Sequence, residues 1–148
     1  MTLEETLDRF WYEMAVNQLR HAKNDPTMDI SYNSSMYLDL IKFRDKATVS
    51  SIADDLQVSK AAVTMKVNEL VKQGLVRKVQ SEEDKRIHYL EITDLISQGY
   101  ENYFQPMKAA IATIEEKYPP EKITVFCEVL ATINECFAQR NSVNSEEL

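Results

Sequence analysis

Glycine is almost absent from this chain: Gly74 and Gly99 are the only two in 148 residues. So few leave no room for a glycine-rich loop to cradle phosphates, which sets aside the common nucleotide-binding enzymes. Imidazoles are equally scarce, at His21 and His88, and the two cysteines, Cys127 and Cys136, lack close metal-ligand spacing. No zinc signature results, and neither a metal nor a cofactor is expected. Clustered His and carboxylates or a nucleophile-base motif are missing too, so no enzyme is expected. The sequence has no run of about 20 apolar residues, and its acidic start does not look like a signal peptide; a cytoplasmic protein without a membrane span is expected.

An excess of positive charge is also lacking. The 17 Lys and Arg are outnumbered by 24 Asp and Glu, for a net charge of −7, which argues against a polyanionic partner. The distribution softens that objection. Residues 1–47 carry 6 basic and 8 acidic groups, residues 48–92 carry 7 and 7, and residues 93–148 carry 4 and 9. The acidity gathers in the C-terminal third, so the local potential of the middle section can differ from the net charge.

What that middle section holds is an ordered series of signals. Thr48 is suited to cap a helix whose apolar face is Ile52, Ala53 and Leu56. Gln57-Val58 makes a tight connection, and Ser59 caps a second helix in which Val63, Val67 and Leu70 fall at the i, i+4, i+7 positions that bury together. The same period turns Lys60, Ala61, Thr64, Met65 and Asn68 outward, clustered toward the N-terminal half, the end a groove-reading helix uses. Gly74 supplies a left-handed helix stop. Leu75, Val76 and Val79 read as a strand and Ile87, Tyr89, Leu90 and Ile92 as its partner, with the polar turn from Gln80 to Arg86 between them. Helix, turn, helix and hairpin in this order make a winged helix-turn-helix and suggest DNA binding.

These residues resemble the MarR (multiple-antibiotic-resistance regulator) family of winged-helix repressors. Gly74-Leu75-Val76 matches its strand start, Asp84-Lys85-Arg86 its Asp-x-Arg wing, and Ser59 to Gly74, with Val63-Thr64 in register, its Ser-x-x-x-Val-Thr recognition helix. Many members place Arg where this chain has Met65. The resemblance implies a dimeric regulator of transcription, with Asp84 orienting the basic wing side chains by ion pairing. The expected DNA contacts are Ser59, Lys60, Ala61, Thr64, Met65, Lys66, Asn68, Lys78, Lys85 and Arg86. Arg86 at the wing tip would approach the minor groove, where narrow A·T tracts attract guanidinium groups.

The flanks supply the rest of the expected architecture, which is mainly α with a small β-wing. Thr2 and Glu5 form a capping-box start to a helix striped by Leu3, Leu7, Phe10 and Met14, widened by Trp11. A second helix is expected from about Ser34, burying Tyr37, Leu40 and Ile41. After the wing, Ile96, Tyr100, Phe104, Met107, Ile111 and Ile114 stripe a long helix. Pro119-Pro120 interrupts it before a seam of Ile123, Phe126, Leu130, Ile133 and Phe137 with coiled-coil-like steps. Residues 1–30 and 93–140 are therefore expected to form a helical dimerisation region around a winged helix at 34–92, with 141–148 a disordered tail. Such apolar helices need cover, and a two-fold homodimer provides it. Two recognition helices roughly 34 Å apart would then enter successive major grooves of a pseudo-palindromic site.

Some features admit two readings. Phe10, Trp11, Met14, Tyr32 and Tyr37 would line an effector pocket for a small apolar or aromatic ligand, as the resemblance implies, while helical spacing alone also accounts for them as core. Cys127 and Cys136, about 180° apart on one helix, cannot pair within it, and packing is weighed above redox sensing. The chain as a whole has an alternative too: a winged-helix interaction module that dimerises but has lost DNA affinity, which the acidity and Met65 favour.

Overall fold

The computed structural model describes residues 2–24 and 30–143. Its elements run α1 (Leu3–Asn24), α2 (Tyr32–Phe43), α3 (Val49–Leu56), α4 (Lys60–Lys72), β1 (Val76–Gln80), β2 (His88–Ile92), α5 (Asp94–Lys117) and α6 (Pro120–Val143). The fold is mainly helical with one small antiparallel wing. The chain divides into two compact units, Met1–Tyr103 and Phe104–Leu148.

Local chemistry sets the helix starts in the first unit. Thr2 and Glu5 bond reciprocally, Glu5 N–H to Thr2 Oγ1 at 3.2 Å and Thr2 N–H to Glu5 Oε2 at 2.7 Å, so α1 begins in a capping box. The second helix starts two residues before the expected Ser34. Ser31 is its N-cap, accepting from the Ser34 N–H at 3.2 Å, and its hydroxyl donates to Ser34 Oγ at 2.9 Å. That bond satisfies a serine that is itself buried. Burial in α2 falls on Ser34, Leu38 and Ile41, leaving Tyr37 and Leu40 half-buried.

The core of this unit is assembled from every element around the wing. Leu38 and Ile41 of α2, Ile52 and Ala53 of α3, Val63, Val67 and Leu70 of α4, Val76 of β1 and Leu90 of β2 are all buried, together with Ile96 and Tyr100 of α5. The winged region thus recruits the beginning of α5. Tyr100 donates a hydrogen bond to Asp39 Oδ1 of α2, and burial first, then the Asp39 carboxylate, pushes the phenol well above its ordinary pKa. Leu90 N–H donates to Ala47 O at 2.8 Å, which binds β2 to the segment linking α2 and α3.

β1 and β2 pair in the register Val76↔Ile92 through Gln80↔His88. Leu75 and Ile87, expected inside the strands, stand just before them, because Gly74 adopts φ +72° and Asp84 to Ile87 closes a turn through the Ile87 N–H to Asp84 O bond at 2.9 Å. Arg77 and Glu91 lie opposite each other and pair across the strands, Nε to Oε2 at 3.0 Å.

In the second unit, α6 begins at Pro120, the favoured first-turn position for a residue without an N–H. Phe126, Val129, Leu130 and Phe137 of α6 are exposed, and Ile123 and Ile133 are half-buried. On α1, Leu3, Phe10, Trp11 and Leu19 are exposed likewise. The helix α6 runs on through Val143, and residues 144–148 of the expected tail lie outside the described residues.

Candidate nucleic-acid interface

Two left-handed residues bracket the helix that faces outward. α3 opens on a capping box between Thr48 and Ser51, with Thr48 Oγ1 accepting from Ser51 N–H at 3.1 Å. It ends at Gln57, φ 54°, whose conformation turns the chain sharply toward Ser59. Ser59 caps α4 by accepting the Ala62 N–H at 3.2 Å. Gly74 terminates α4, with open space where a Cβ would stand. Its carbonyl accepts the Thr93 hydroxyl at 2.9 Å, which fastens the helix end to the residue leaving the wing.

The valine stripe of α4 is buried, which turns Lys60, Ala61, Thr64, Met65 and Asn68 outward, all exposed. Ser59 stands at the head of that face. Thr64 donates its hydroxyl proton to Lys60 O at 2.7 Å. Lys66, expected among the DNA contacts, departs from this group. It lies 100° on from Met65 at 3.6 residues per turn, toward the buried side, its side chain only 15% exposed and paired with Glu69 at 2.9 Å.

The wing approaches the same face. Lys78 on β1 donates from Nζ to Asn68 Oδ1 at 2.8 Å. At the tip, Asp84 accepts from the Arg86 guanidinium at 3.1 Å and 3.0 Å and from the Arg86 backbone N–H at 3.0 Å. These bonds, the guanidinium first and the backbone N–H second, hold the Asp84 carboxyl below its usual range and raise Arg86. Gln80 Nε2 donates to Lys85 O at 2.7 Å, and Ser81 Oγ accepts from the Asp84 N–H at 3.3 Å, so the turn is tied at both shoulders. Arg86 itself remains 91% exposed.

A cleft of about 640 Å³ lies between the start of α3, the outward face of α4 and the wing, lined among others by Ser50, Thr64, Lys78, Arg86 and His88. It brings together three residues expected from sequence and adds two that were not. Ser50 was readable from its place in the first turn after the Thr48 cap, where backbone N–H groups are unpaired. The signal for His88 is its alternation with buried Leu90 on β2, which sets both on one side of the ribbon.

The five residues considered for an effector pocket differ in exposure. Phe10, Trp11 and Tyr32 are exposed, and Met14 and Tyr37 are half-buried. Tyr37 lines a groove of about 830 Å³ with Met36, Leu40, Phe43 and Leu56, in which the other four take no part. Cys127 and Cys136, expected to pack, are exposed thiols. Among the described residues, no group of three or more His, Cys, Asp or Glu is placed to hold a metal, and no helix is long and apolar enough to cross a membrane.

A helix-turn-helix followed by a two-stranded hairpin with basic side chains facing one cleft defines the winged helix-turn-helix class. Residues 30–88 match the model of the MarR family. The transcriptional regulator AdcR of Streptococcus pneumoniae serotype 2 (strain D39) is 27% identical over 84 residues, a match spanning 57% of this chain and 58% of that protein. The fold is shared over most of the chain with solved structures. FabT of Streptococcus pneumoniae, in a structure in complex with DNA, is 23% identical with a TM-score of 0.66, covering 93% of this chain and 96% of that one. A mutant of MepR from multidrug-resistant S. aureus is 16% identical with a TM-score of 0.65, covering 93% and 98%.

Proposed function

We propose that the chain is a dimeric, sequence-specific DNA-binding regulator of transcription in the cytoplasm, a repressor on a pseudo-palindromic operator. The observation that carries this is the convergence of Thr64, Lys78 and Arg86 on one cleft, with Lys78 bonded to the outward face of α4. α4 would enter the major groove, Lys60, Lys78 and Lys85 would neutralise phosphates, and Arg86, oriented by Asp84, would reach the adjacent minor groove. The apolar faces of α1 and α6, exposed on the single chain, support a homodimer that covers them. The groove at Tyr37 and Phe43 supports relief by a small apolar or aromatic ligand.

The test is fluorescence anisotropy on the DNA immediately upstream of the chain's own gene, against random DNA, across a salt series. Preference for the upstream DNA, two chains per site and a steep loss with salt are expected. Uniform indifference to sequence in a genome-wide selection of bound fragments would instead favour the interaction module, which the net charge of −7 supports.

A further inference from the structure

The outward face of α4 is poor in hydrogen-bond donors where it points furthest from the core. Met65 lies roughly 160° around the helix from buried Val67 and is 75% exposed. Ala61, one turn earlier, shares its side and is exposed too. Thr64 between them gives its only proton to Lys60 O at 2.7 Å. It therefore presents a methyl group and acceptor lone pairs, with no donor left. Asn68, at the far end of the face, has its Oδ1 engaged by Lys78, which leaves the amide N–H groups as donors at the rim. No arginine occurs in α4.

The four base pairs differ in what they show to such a surface. Guanine offers two acceptors in the major groove, which call for an Arg or Lys fork, whereas thymine alone offers a C5-methyl. Ala61 Cβ, Thr64 Cγ2 and the Met65 thioether make an apolar surface of fitting chemistry. The unbranched, polarizable Met side chain can follow a methyl's position without a fixed geometry. The basic groups, Lys60 and Lys78, stand at the edges of this face, where phosphates would lie. We infer that Met65, with Ala61 and the Thr64 methyl, reads thymine C5-methyl groups, so that each half-site is specified through thymines rather than through guanine. This rests on the DNA-binding proposal and names the base chemistry of its specificity.

The test uses the full chain and a random duplex pool. The most enriched duplex is resynthesised with deoxyuridine in place of each thymidine in turn, which removes the methyl and leaves the pairing edge intact. One or two substitutions per half-site should weaken wild-type binding about fourfold, the effect of burying one carbon. Met65→Ala should be indifferent at those positions while keeping its salt dependence. Met65→Gln, selected afresh, should exchange a thymine for adenine, the base a side-chain amide reads. Wild-type indifference to deoxyuridine throughout, Met65→Ala as sensitive as wild type, or an unchanged sequence for Met65→Gln would each overturn the inference. Tight, salt-dependent binding without any methyl effect overturns it alone. Failure to bind any duplex overturns the regulator proposal together with it.

Discussion

Lys78 Nζ and Asn68 Oδ1, 2.8 Å apart, join β1 to the third turn of α4. The bond makes the position of the wing depend on a side chain of α4. Lys78→Ala should weaken binding to every duplex and lower the salt slope by about one. Asn68→Ala should weaken binding with the slope unchanged, since no phosphate contact is lost. A double-mutant cycle by anisotropy reads the coupling, and strict additivity would show the bond to be idle in the complex.

The two lysines of α4 should behave differently. Lys60→Ala is expected to lower the salt slope by about one. Lys66→Ala, whose ammonium is held by Glu69, should leave the slope unchanged and cost under about 1 kcal/mol in chemical denaturation. An equal change in slope for both variants would return Lys66 to the interface.

Asp84 works as a charged acceptor, so its contribution is complete above the ordinary carboxylate pKa of 3.8 and is lost as pH falls through its lowered folded-state value. At neutral pH the wing should therefore be insensitive to Asp84 titration. Asp84→Asn keeps an acceptor for the backbone but removes the charge that aligns Arg86. Preference for A·T-rich over G·C-rich flanks should shrink in Asp84→Asn and vanish in Arg86→Ala, measured as a ratio of dissociation constants.

Tyr100 tests the join between α5 and the winged core. Its buried phenol donates to Asp39, and Tyr100→Phe would leave that carboxylate short of a partner at a cost of about 1–3 kcal/mol. Because the folded-state pKa is raised, this stabilisation is full below the ordinary value of 10.0 and declines as pH climbs above it. Wild type should lose stability through that alkaline range more steeply than Tyr100→Phe, as followed by denaturant midpoints.

Phe137 is 66% exposed and lies on the apolar seam of α6. Phe137→Glu should raise the concentration at which sedimentation detects dimer and reduce operator binding in parallel. A monomeric wild type at micromolar concentration would remove the case for two-fold recognition.

The parts of this molecule governed by local rules were legible in the sequence. The caps at Thr48 and Ser59, the stop at Gly74 and the buried stripe Val63, Val67, Leu70 follow from hydroxyl chemistry, backbone freedom and helical period. Where contacts reach across elements, the sequence was silent. Nothing in its order announces that Lys78 bonds Asn68, or that Tyr37 lines a groove with Phe43 of α2 and Leu56 of α3. His88 was legible as a solvent-facing strand residue, but its place in the cleft was not, because that depends on strand pairing with Gln80. The start of α2 was misplaced by two residues because Ser31 caps it in the midst of several candidate serines.

Between Ser59 and Gly74 the azimuth of each side chain is a matter of residue count. A one-residue insertion before Val63 would swing Ala61 by 100° relative to the valines, whereas replacing Ala61, Thr64 or Met65 disturbs no buried contact. The two left-handed stops thus make the helix a fixed frame with interchangeable type. On the DNA-binding proposal, point substitution on this face would change the bases that are read, while a change in length within the segment would turn the face relative to the buried valines.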